Sequence, residues 1–466
     1  MSDTPKMTCW SCQNSNWHIF PHDFTGWTER QLAVCKDCGS MAYLVDPAEE
    51  EKTRDYYRKE YRGQIGPSNL LTTTRKLNYV RVFIEPWLLE QEKAGKKLIT
   101  GDVGAATGYL VNFFRTRDHK STGSEWTIAM RRFAEHFYGI PITEELTDKH
   151  RYDLITMYHT FEHMIEPDKK LAKYVSYLAD GGHMLIATPQ WLNVLDESGV
   201  GRVTTFKELF HKDHINVFTE SSIKRVFANA GLIIVKEDHL TYGQTYLLRK
   251  SKPGEAIEVV PPEDYLEVIA KLEKQKQAID IFRQAAEQQK ENLYREALNL
   301  WPKFPDAYYD WVLNSTVKKD RGRCAELIEE SMKIMPGYPK MHIMRAFFLY
   351  QNQDWKAALQ DFEYLSKTKV NAEIEMFQGY CLYHLGRFRD AMGCFHEASI
   401  LDPMKWGESM VWMCKTATEQ KSWDEVATEK FKDKLFNEAK VRIEPQDPVF
   451  STGNGHQSAE KPQEVA

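Results

Sequence analysis

The sequence has no long hydrophobic run. None of its apolar stretches approaches the length of about 20 residues that crosses a membrane, and Met1–Met7 lacks the apolar segment of a signal peptide. A surplus of positive charge is also missing, because the formal net charge is -6 at pH 7. That charge argues against a protein that mainly grips nucleic-acid backbone, although a local basic patch is compatible with it. We therefore expect a cytoplasmic protein without a membrane span, and we do not expect nucleic acid as its partner.

Cysteine is scarce, and the eight residues fall into two groups. Four stand near the start as two CxxC pairs: Cys9, Cys12, Cys35 and Cys38. In a reducing compartment, such pairs favour metal binding over disulfides. The other four are scattered through apolar helical sequence and are expected to be small buried residues: Cys324, Cys381, Cys394 and Cys414.

The two CxxC pairs predict a zinc ribbon-like module over residues 1–47. Four thiolates at this spacing form the tetrahedron that structural Zn²⁺ prefers, and Gly39 suits a tight turn after the second pair. His18 and His22, between the pairs, are interpreted as loop residues. A closed four-cysteine site has no open position, so we expect a structural metal and not a catalytic one. A redox CxxC is the alternative, but nothing thioredoxin-like surrounds the pairs.

The length of 466 residues suggests about three domains. Helical sequence from about Tyr56 to Lys96 is followed by short apolar runs that alternate with amphipathic stretches up to Lys250. This alternation predicts an α/β domain over residues 56–250, with a doubly wound, mostly parallel, Rossmann-like sheet. The predicted strands are Leu98–Ile99, Ser121–Gly123, Tyr152–Met157, His183–Thr188, Leu232–Val235 and Tyr246–Leu248, and the predicted helices include Ile128–Tyr138 and Ser221–Ala230.

A linker over residues 251–262 leads to a helix-forming region over residues 263–440, and a polar tail over 444–466 is predicted to be disordered. Within the helical region, Pro302 and Pro336 are separated by about 34 residues, which is the length of one tetratricopeptide unit. Pro403 follows after close to two further units, and the small and large residues before it alternate in a way that resembles this repeat. We therefore expect an all-α helical-repeat domain, which is a candidate docking surface for a protein partner. A generic helical bundle is the alternative.

Small residues cluster where a predicted strand meets a predicted helix, at Thr100–Tyr109. Their spacing is Asp102-x-Gly104-x-Ala106-x-Gly108, which differs from the GxGxxG of dinucleotide-binding loops. Small residues at the carboxyl edge of a sheet let a ligand approach the backbone, and the amides at the helix start can face polar groups. Glu125 follows the next strand, about twenty positions after the loop, where an acidic residue can accept hydrogen bonds from ribose hydroxyls. The alternative for Glu125 is a solvated carboxylate at a strand end.

This loop resembles the first motif of class I S-adenosylmethionine-dependent methyltransferases, with Ala106 replacing the usual middle glycine. The other matching segments follow in the order seen in the ubiquinone-biosynthesis-type and sugar-modifying subgroup: Glu125, Arg151–His163, Asp180–Pro189, and His214–Thr219 with Ala230–Leu232. The resemblance covers roughly residues 56–250. It implies that S-adenosyl-L-methionine is the cofactor, with contacts from Asp102, Gly104, Ala106, Gly108, Glu125 and His159. The segment between Gly139 and Arg151 departs from the pattern, because it lacks a third strand ending in an acid, and the adenine contact is therefore not assigned.

Methyl transfer to an oxygen acceptor calls for a general base. The candidates come from motifs expected at the carboxyl ends of strands: His163, His214 and His159. Each histidine also has an alternative role without proton transfer. His159 could contact the cofactor without acting as a base, His163 with Glu162 could cap the next helix, and His214 could order a lid. Three tyrosines before the core are candidates either for lining the acceptor pocket or for packing: Tyr56, Tyr57 and Tyr61.

The subgroup and its amino-terminal zinc module imply methyl transfer to a small hydroxylated metabolite or a sugar, free or nucleotide-linked. One alternative is a macromolecular acceptor, protein or nucleic acid, docked by the zinc module and the repeats. The tetrapeptide Asn-Pro-Pro-Tyr, typical of amino-methylating nucleic-acid enzymes, does not follow the fourth strand. A second alternative is an inactive scaffold that binds a partner protein through its repeats, against which the intact loop and Glu125 argue.

Overall fold

A computed structural model describes residues 7–26, 30–46, 49–59, 83–189, 210, 213–238, 244–368, 372–402 and 405–419. The chain divides into two compact units. One comprises Met1–Trp311, Ala325–Met344 and Thr368–Val370, and the other comprises Val312–Cys324, Arg345–Lys367 and Asn371–Ala466. Among the described helices, none has the length and apolar character needed to cross a membrane. The predicted disordered tail, and Tyr61 among the predicted tyrosines, lie outside the described residues.

The described strands are β1 (Trp17–Ile19), β2 (Leu32–Cys35), β3 (Met41–Tyr43), β4 (Ile99–Val103), β5 (Lys120–Ser124), β6 (Tyr152–Tyr158), β7 (Leu178–Thr188), β8 (Asn216–Val217), β9 (Leu232–Asp238) and β10 (Gln244–Lys250). The helices of the first part are α1 (Glu50–Lys59), α2 (residues 83–93), α3 (Tyr109–Thr116), α4 (Ile128–Tyr138), α5 (Pro167–Tyr177) and α6 (Glu220–Asn229). The helices that follow β10 are α7 (Tyr265–Gln288), α8 (Glu291–Leu300), α9 (Pro305–Val317), α10 (Arg321–Ile334), α11 (Pro339–Gln351), α12 (Trp355–Thr368), α13 (Ala372–His384), α14 (Phe388–Leu401) and α15 (Trp406–Glu419).

Six strands form one mixed sheet in the order β5-β4-β6-β7-β10-β9. Strands β5, β4, β6 and β7 pair in parallel, whereas β10 is antiparallel to both of its neighbours. Five of the six predicted strands lie within strands of this sheet, whereas the strand predicted at Leu98–Ile99 shares only Ile99 with β4, which continues to Val103. The mixed sheet confirms the predicted α/β class. No full third strand precedes β6 in the described chain, and the edge beyond β5 carries a single parallel bridge between Ser124 and Thr143.

Strand β6 contributes apolar side chains to the buried clusters on both faces of this sheet. Ile155 and Met157 are fully buried in one apolar cluster with residues of α5 and α6, and Leu154 is buried in a second cluster with residues of α2 and α3. Successive side chains of a strand point to opposite faces of the sheet. A strand with apolar residues at both odd and even positions is therefore covered on both faces. Complete burial of one such side chain contributes about 1.5–3 kcal/mol. The sheet is therefore a rigid base for the turns at its carboxyl edge.

A second, four-stranded sheet has the order β1-β2-β3-β8, and all its pairs are antiparallel. The cysteine-containing segment supplies β1, β2 and β3. The last strand, β8, comes from the segment between β7 and α6, and its Val217 pairs with Met41. The amino-terminal segment is therefore built into the α/β part of the chain.

The helical stretch predicted from about Tyr56 to Lys96 needs correction at both ends, and its residues 60–82 lie outside the described residues. The helix predicted from about Tyr56 begins earlier, at Glu50, because Glu50 and Glu51 supply the acidic first turn that a helix N-terminus favours. The second helical stretch ends at residue 93, before Lys96, with Gly95 in the left-handed conformation (φ 72°). Glycine adopts that conformation without steric cost.

Every described element after β10 is helical. Alternate helices α9, α11, α13 and α15 begin at Pro305, Pro339, Ala372 and Trp406, and the helices between them, α10, α12 and α14, begin at Arg321, Trp355 and Phe388. Both series advance by about 34 residues per step, the period that the prolines indicate. A helix pair thus recurs along this part of the chain. The assignment of these pairs to the tetratricopeptide class stays a prediction, as do the predicted domain boundaries.

Candidate active site

The turn after β4 reverses direction through left-handed residues. Gly104 has φ 74° and Gly108 has φ 75°. A Cβ on Gly104 would collide with Oγ1 of Thr160 and lie 2.9 Å from its Cγ2, and a Cβ on Gly108 would lie 2.8 Å from Cβ of Ala134. Both glycines are therefore required by backbone conformation and by the close approach of neighbouring segments.

Ala106 also has a left-handed backbone, with φ 47°. This conformation costs an L-residue roughly 1–2 kcal/mol, which explains why glycine is usual there in the family that the loop resembles. The Ala106 amide donates a hydrogen bond to Oε2 of Glu125 at 2.9 Å. The left-handed conformation thus accompanies a contact between the loop and the acidic residue after β5.

Glu125 joins two segments at the edge of the sheet. Its Oε1 accepts from the Thr127 amide at 2.8 Å, and its own amide donates to the Thr143 carbonyl at 2.8 Å. A carboxylate offers about four lone-pair sites, so the two contacts from Ala106 and Thr127 leave acceptor capacity for a ligand. The glutamate and the loop are therefore adjacent, as the sequence predicts.

An open crevice lies beside these residues. Its empty volume is about 960 Å³ with the solvent at its mouth included. The lining combines residues of α1, the ends of β4, β5 and β6 with the turns after them, the segment between α4 and β6, and α5. They are Glu50, Thr53, Tyr57, Val103, Gly104, Ala106, Ser124, Glu125, Trp126, Glu144, Glu145, Tyr158, His159, Thr160, His163, Met164, Ile165, Lys170 and Tyr174.

Not every predicted cofactor residue lies in this lining. Asp102 is buried, and its Oδ1 accepts a hydrogen bond from Oγ1 of Thr156 at 2.6 Å, which links β4 to β6. Gly108 precedes the first residue of α3. Neither belongs to the crevice lining, so direct cofactor contact by these two residues stays a prediction.

The three predicted histidines gather around one glutamate. Glu162 lies in a 3₁₀ turn, Phe161–His163, just after β6, and is fully buried. Its Oε1 lies 3.4 Å from Nδ1 of His159, 3.7 Å from Nε2 of His163 and 4.0 Å from Nε2 of His214. Burial raises the pKa of such a carboxyl, but the His159 contact and the positive charge available from the three imidazoles outweigh it, lowering the pKa of Glu162 to about 2.

His159 and His163 line the crevice, whereas His214 does not. The His163 Nδ1 lies 2.7 Å from the Asp213 carbonyl oxygen and 3.0 Å from the Tyr57 hydroxyl. Because a carbonyl only accepts, the shorter contact assigns a proton to Nδ1. The structure thus brings Tyr57 into the crevice with the histidines.

Sequence reasoning missed the central position of Glu162. The alternative that Glu162 and His163 cap the next helix is wrong, because the N-cap of α5 is Glu166 and no side-chain hydrogen bond caps this helix. The available signal was the spacing His159-x-x-Glu162-His163. Other missed lining residues include Trp126, Lys170 and Tyr174, which no local motif marks.

The four amino-terminal cysteines converge. Their sulfur atoms all lie within 4.8 Å of one another, with Cys9 Sγ 3.6 Å from Cys38 Sγ and Cys12 Sγ 3.5 Å from Cys35 Sγ. Four thiolates on one Zn²⁺, each at ~2.3 Å, are about 3.8 Å apart, so the donor set and spacing suit zinc. In the described chain, neither His18 nor His22 belongs to this cluster.

The cysteine cluster is packed against the turn that carries Glu162. Trp10, between the first two cysteines, lies 4.9 Å from the Phe218 ring in an edge contact, and Phe218 stacks on Phe161 at 5.0 Å. Trp10 belongs to the same buried cluster as Ile155 and Met157. The cysteine-containing segment therefore supports one wall of the histidine cluster.

A family model described as a methyltransferase domain matches residues 75–237. This match covers β4 through α6 and therefore every element that builds the crevice except α1. The chain contains a methyltransferase domain, which supports the prediction that it is an enzyme. The alternative of an inactive scaffold is not retained.

Solved structures show weaker similarity. Magnesium protoporphyrin IX methyltransferase from Synechocystis PCC 6803 with bound SAM is 14% identical, with 44% of this chain and 97% of that chain covered and a TM-score of 0.32. An amino pentose methyltransferase from Micromonospora echinaspora involved in calicheamicin biosynthesis is 15% identical (34% and 86% covered, TM-score 0.28). MamA of MSR-1 is 20% identical (36% and 99% covered, TM-score 0.29). All three TM-scores are below 0.5. No curated protein matches the chain.

Proposed function

We propose that this enzyme transfers the methyl group of S-adenosyl-L-methionine to a hydroxyl of a small metabolite or sugar, free or nucleotide-linked. One observation carries the cofactor part of this proposal. The Glu125 carboxylate is hydrogen-bonded to the Ala106 amide, and both residues line the crevice. A ribose held at Glu125 would therefore lie directly beside the small residues that let a ligand approach the backbone.

The acceptor part rests on His159, the histidine candidate with the most favourable geometry for a base. Its Nδ1 faces the buried Glu162 carboxylate at 3.4 Å, and its side chain is 28% exposed in the crevice lining. An Nδ1–H that faces this carboxylate leaves the Nε2 lone pair available to a substrate hydroxyl, the tautomer in which histidine acts as a general base.

The reaction is an in-line displacement at the sulfonium carbon. S-adenosyl-L-methionine held beside Gly104 and Glu125 would supply the methyl carbon and a neutral sulfur leaving group, so that the carbon–sulfur bond would break as the acceptor oxygen bonds to the methyl carbon, and the sulfur would keep the electron pair. The hydroxyl proton passes to Nε2 of His159. The protein thus positions the two reactants and accepts one proton, since the cofactor supplies the leaving group.

Calorimetric titration with S-adenosyl-L-methionine tests the cofactor site. We expect Glu125→Ala to weaken binding about 10- to 100-fold, because hydrogen bonds to a charged group contribute about 1.5–3 kcal/mol and each 1.4 kcal/mol is tenfold in Kd. Glu135→Ala, on the exposed face of α4, is the matched control. Circular dichroism of each variant checks folding. Equal affinity for wild type and folded Glu125→Ala would overturn the proposed cofactor site.

A further inference from the structure

A second group in the crevice wall combines a buried anion with nitrogen donors. Glu162 has no exposed surface, and within the described chain neither of its carboxylate oxygens accepts a hydrogen bond of ordinary geometry. The three imidazole contacts, at 3.4–4.0 Å, are longer than the ~2.7–2.9 Å of charge-assisted hydrogen bonds. A buried carboxylate left in this state is costly. We propose that Glu162, His163 and His214 bind a first-row divalent transition-metal ion, with Zn²⁺ or Co²⁺ as representative ions.

The orientation of His163 supports this proposal. Its Nδ1 proton is directed to the Asp213 carbonyl at 2.7 Å, so the opposite nitrogen, Nε2, faces Glu162 at 3.7 Å. A histidine that binds a metal through one nitrogen almost always donates the other N–H to a carbonyl or carboxylate. In neutral His163 the Nε2 lone pair would oppose an anionic oxygen, and a shared cation removes that repulsion.

The distances fit a single ion. The three ligand atoms lie within 4.8 Å of one another, and the two contacts to Glu162 Oε1 are 3.7 and 4.0 Å. Ligands at ~2.0–2.2 Å from one metal are at most about 4.4 Å apart, so the two pairs that include Glu162 Oε1 fall within reach. Two histidines and one carboxylate are the ligand set of open zinc and non-haem iron sites, which keep a position for substrate or water.

The backbone holds the two ligand segments together without a metal. The Ile215 amide donates to the Glu162 carbonyl at 2.8 Å, and the Asn216 side-chain amide donates to the Met164 carbonyl at 2.7 Å. His214 is therefore fixed beside the turn that carries the other two ligands. Such preorganisation lowers the cost of assembling a metal site.

The ion would serve the acceptor. His163 lines the same crevice as Gly104 and Glu125, so a substrate oxygen in the open position would lie in the cofactor crevice. A bound divalent cation lowers the pKa of a coordinated hydroxyl, which assists its deprotonation by His159. This role, unlike metal binding itself, rests on the proposed methyl transfer.

Co²⁺ titration of the full-length protein tests the site in the absence of S-adenosyl-L-methionine. Equilibrium dialysis gives the stoichiometry. Near-ultraviolet absorption distinguishes the two sites, because a thiolate site has a sulfur-to-cobalt charge-transfer band that a nitrogen–oxygen site lacks. We expect one Co²⁺ per chain without that band, in addition to the metal held by the four cysteines. His163→Ala and His214→Ala should lose this ion and keep the cysteine-bound one, whereas His136→Ala, on the exposed face of α4, should keep both.

His214→Gln, together with thermal unfolding of each variant, separates loss of a ligand from loss of the fold. A wild-type protein that binds no second ion at millimolar Co²⁺ would overturn the proposal and leave the cluster as an ion pair of Glu162 with protonated histidine. Retention of the second ion by folded His214→Ala and His214→Gln would also overturn it. Neither result bears on S-adenosyl-L-methionine affinity, which reports the proposed function separately.

Discussion

The guanidinium of Arg225 donates a hydrogen bond through Nη2 to the carbonyl oxygen of Cys38 at 3.1 Å. The same side chain, on α6, donates to Oγ of Ser11 at 2.8 Å and to the Pro261 carbonyl at 2.8 Å. Arg225 is only 8% exposed, so its planar set of donors links both cysteine pairs to the catalytic domain in a buried position. The cysteine segment and the domain therefore depend on each other for stability.

Replacing Arg225 tests this dependence. Arg225→Met should destabilise the fold by about 2–4 kcal/mol, because it leaves three buried acceptors without their donor. Arg225→Lys should rescue little, because an ammonium group lacks the fork of donors. Urea unfolding gives the free energy of unfolding. Lys224→Met is the control on the same helix, because the ion pairs of Lys224 with Glu220 and Glu237 contribute about 0–1 kcal/mol. An equal loss of unfolding free energy in Arg225→Met and Lys224→Met would contradict the prediction.

Replacing one of the four clustered cysteines should affect both stability and catalysis. If the cluster binds zinc as predicted, Cys35→Ser should lose that zinc and the folding free energy that a structural zinc contributes. The melting temperature should fall, and turnover should fall with it, because β3 pairs with β8 just after His214. Elemental analysis and thermal unfolding measure the two effects, with Cys394→Ser as the control outside the cluster. An unchanged melting temperature in zinc-free Cys35→Ser would refute this coupling.

The loop glycine offers a steric test. Gly104→Ala should weaken S-adenosyl-L-methionine binding by more than about tenfold, because its Cβ clashes with Thr160 and φ is 74°. Gly139→Ala has a similar φ of 63° but no atom within 4 Å of the new Cβ, so it measures the backbone strain alone. The double variant Gly104→Ala/Thr160→Ala should regain part of the affinity. Wild-type affinity in the single variant would exclude the close approach described here.

His159 should act on the chemical step. His159→Ala is expected to lower kcat about 10²- to 10⁴-fold, the usual contribution of a general base, with little change in S-adenosyl-L-methionine affinity. Single-turnover kinetics and calorimetry measure the two quantities, and His136→Ala on exposed α4 is the control. If His159→Ala turns over normally while His163→Ala does not, His163 is the base.

The helix pair α13–α14 predicts opposite effects for two glycines. A Cβ on Gly379 would lie 2.5 Å from Cε1 of Phe395, whereas nothing lies within 4 Å of a Cβ on Gly393. Gly379→Ala should therefore destabilise the protein by about 1–3 kcal/mol through overpacking. Gly393→Ala should stabilise it by about 0.5–1 kcal/mol, because alanine is the better residue inside a helix. Thermal unfolding distinguishes them, and stabilisation by both would show that the two helices are not closely packed at Gly379.

Local patterns in the sequence were sufficient for much of the fold. Alternation and apolar runs identified five of the six strands of the main sheet and the first residue of β4. Helix α4 begins and ends as predicted at Ile128 and Tyr138. The glycine spacing also identified the turn at Gly104, because a left-handed backbone and a close neighbour restrict residue choice within a few positions. Such signals are local, so a single sequence contains them.

Only the tertiary structure decided how the distant parts of the site meet. His214 is brought beside Glu162 through β8, whose pairing with β3 depends on the cysteine segment, far away along the chain. Sequence alone suggested a helix cap for Glu162, because it cannot reveal complete burial or the approach of three imidazoles. Burial and distance depend on which segments pack together, and that packing decides whether a carboxylate caps a helix, pairs with histidine or binds a metal.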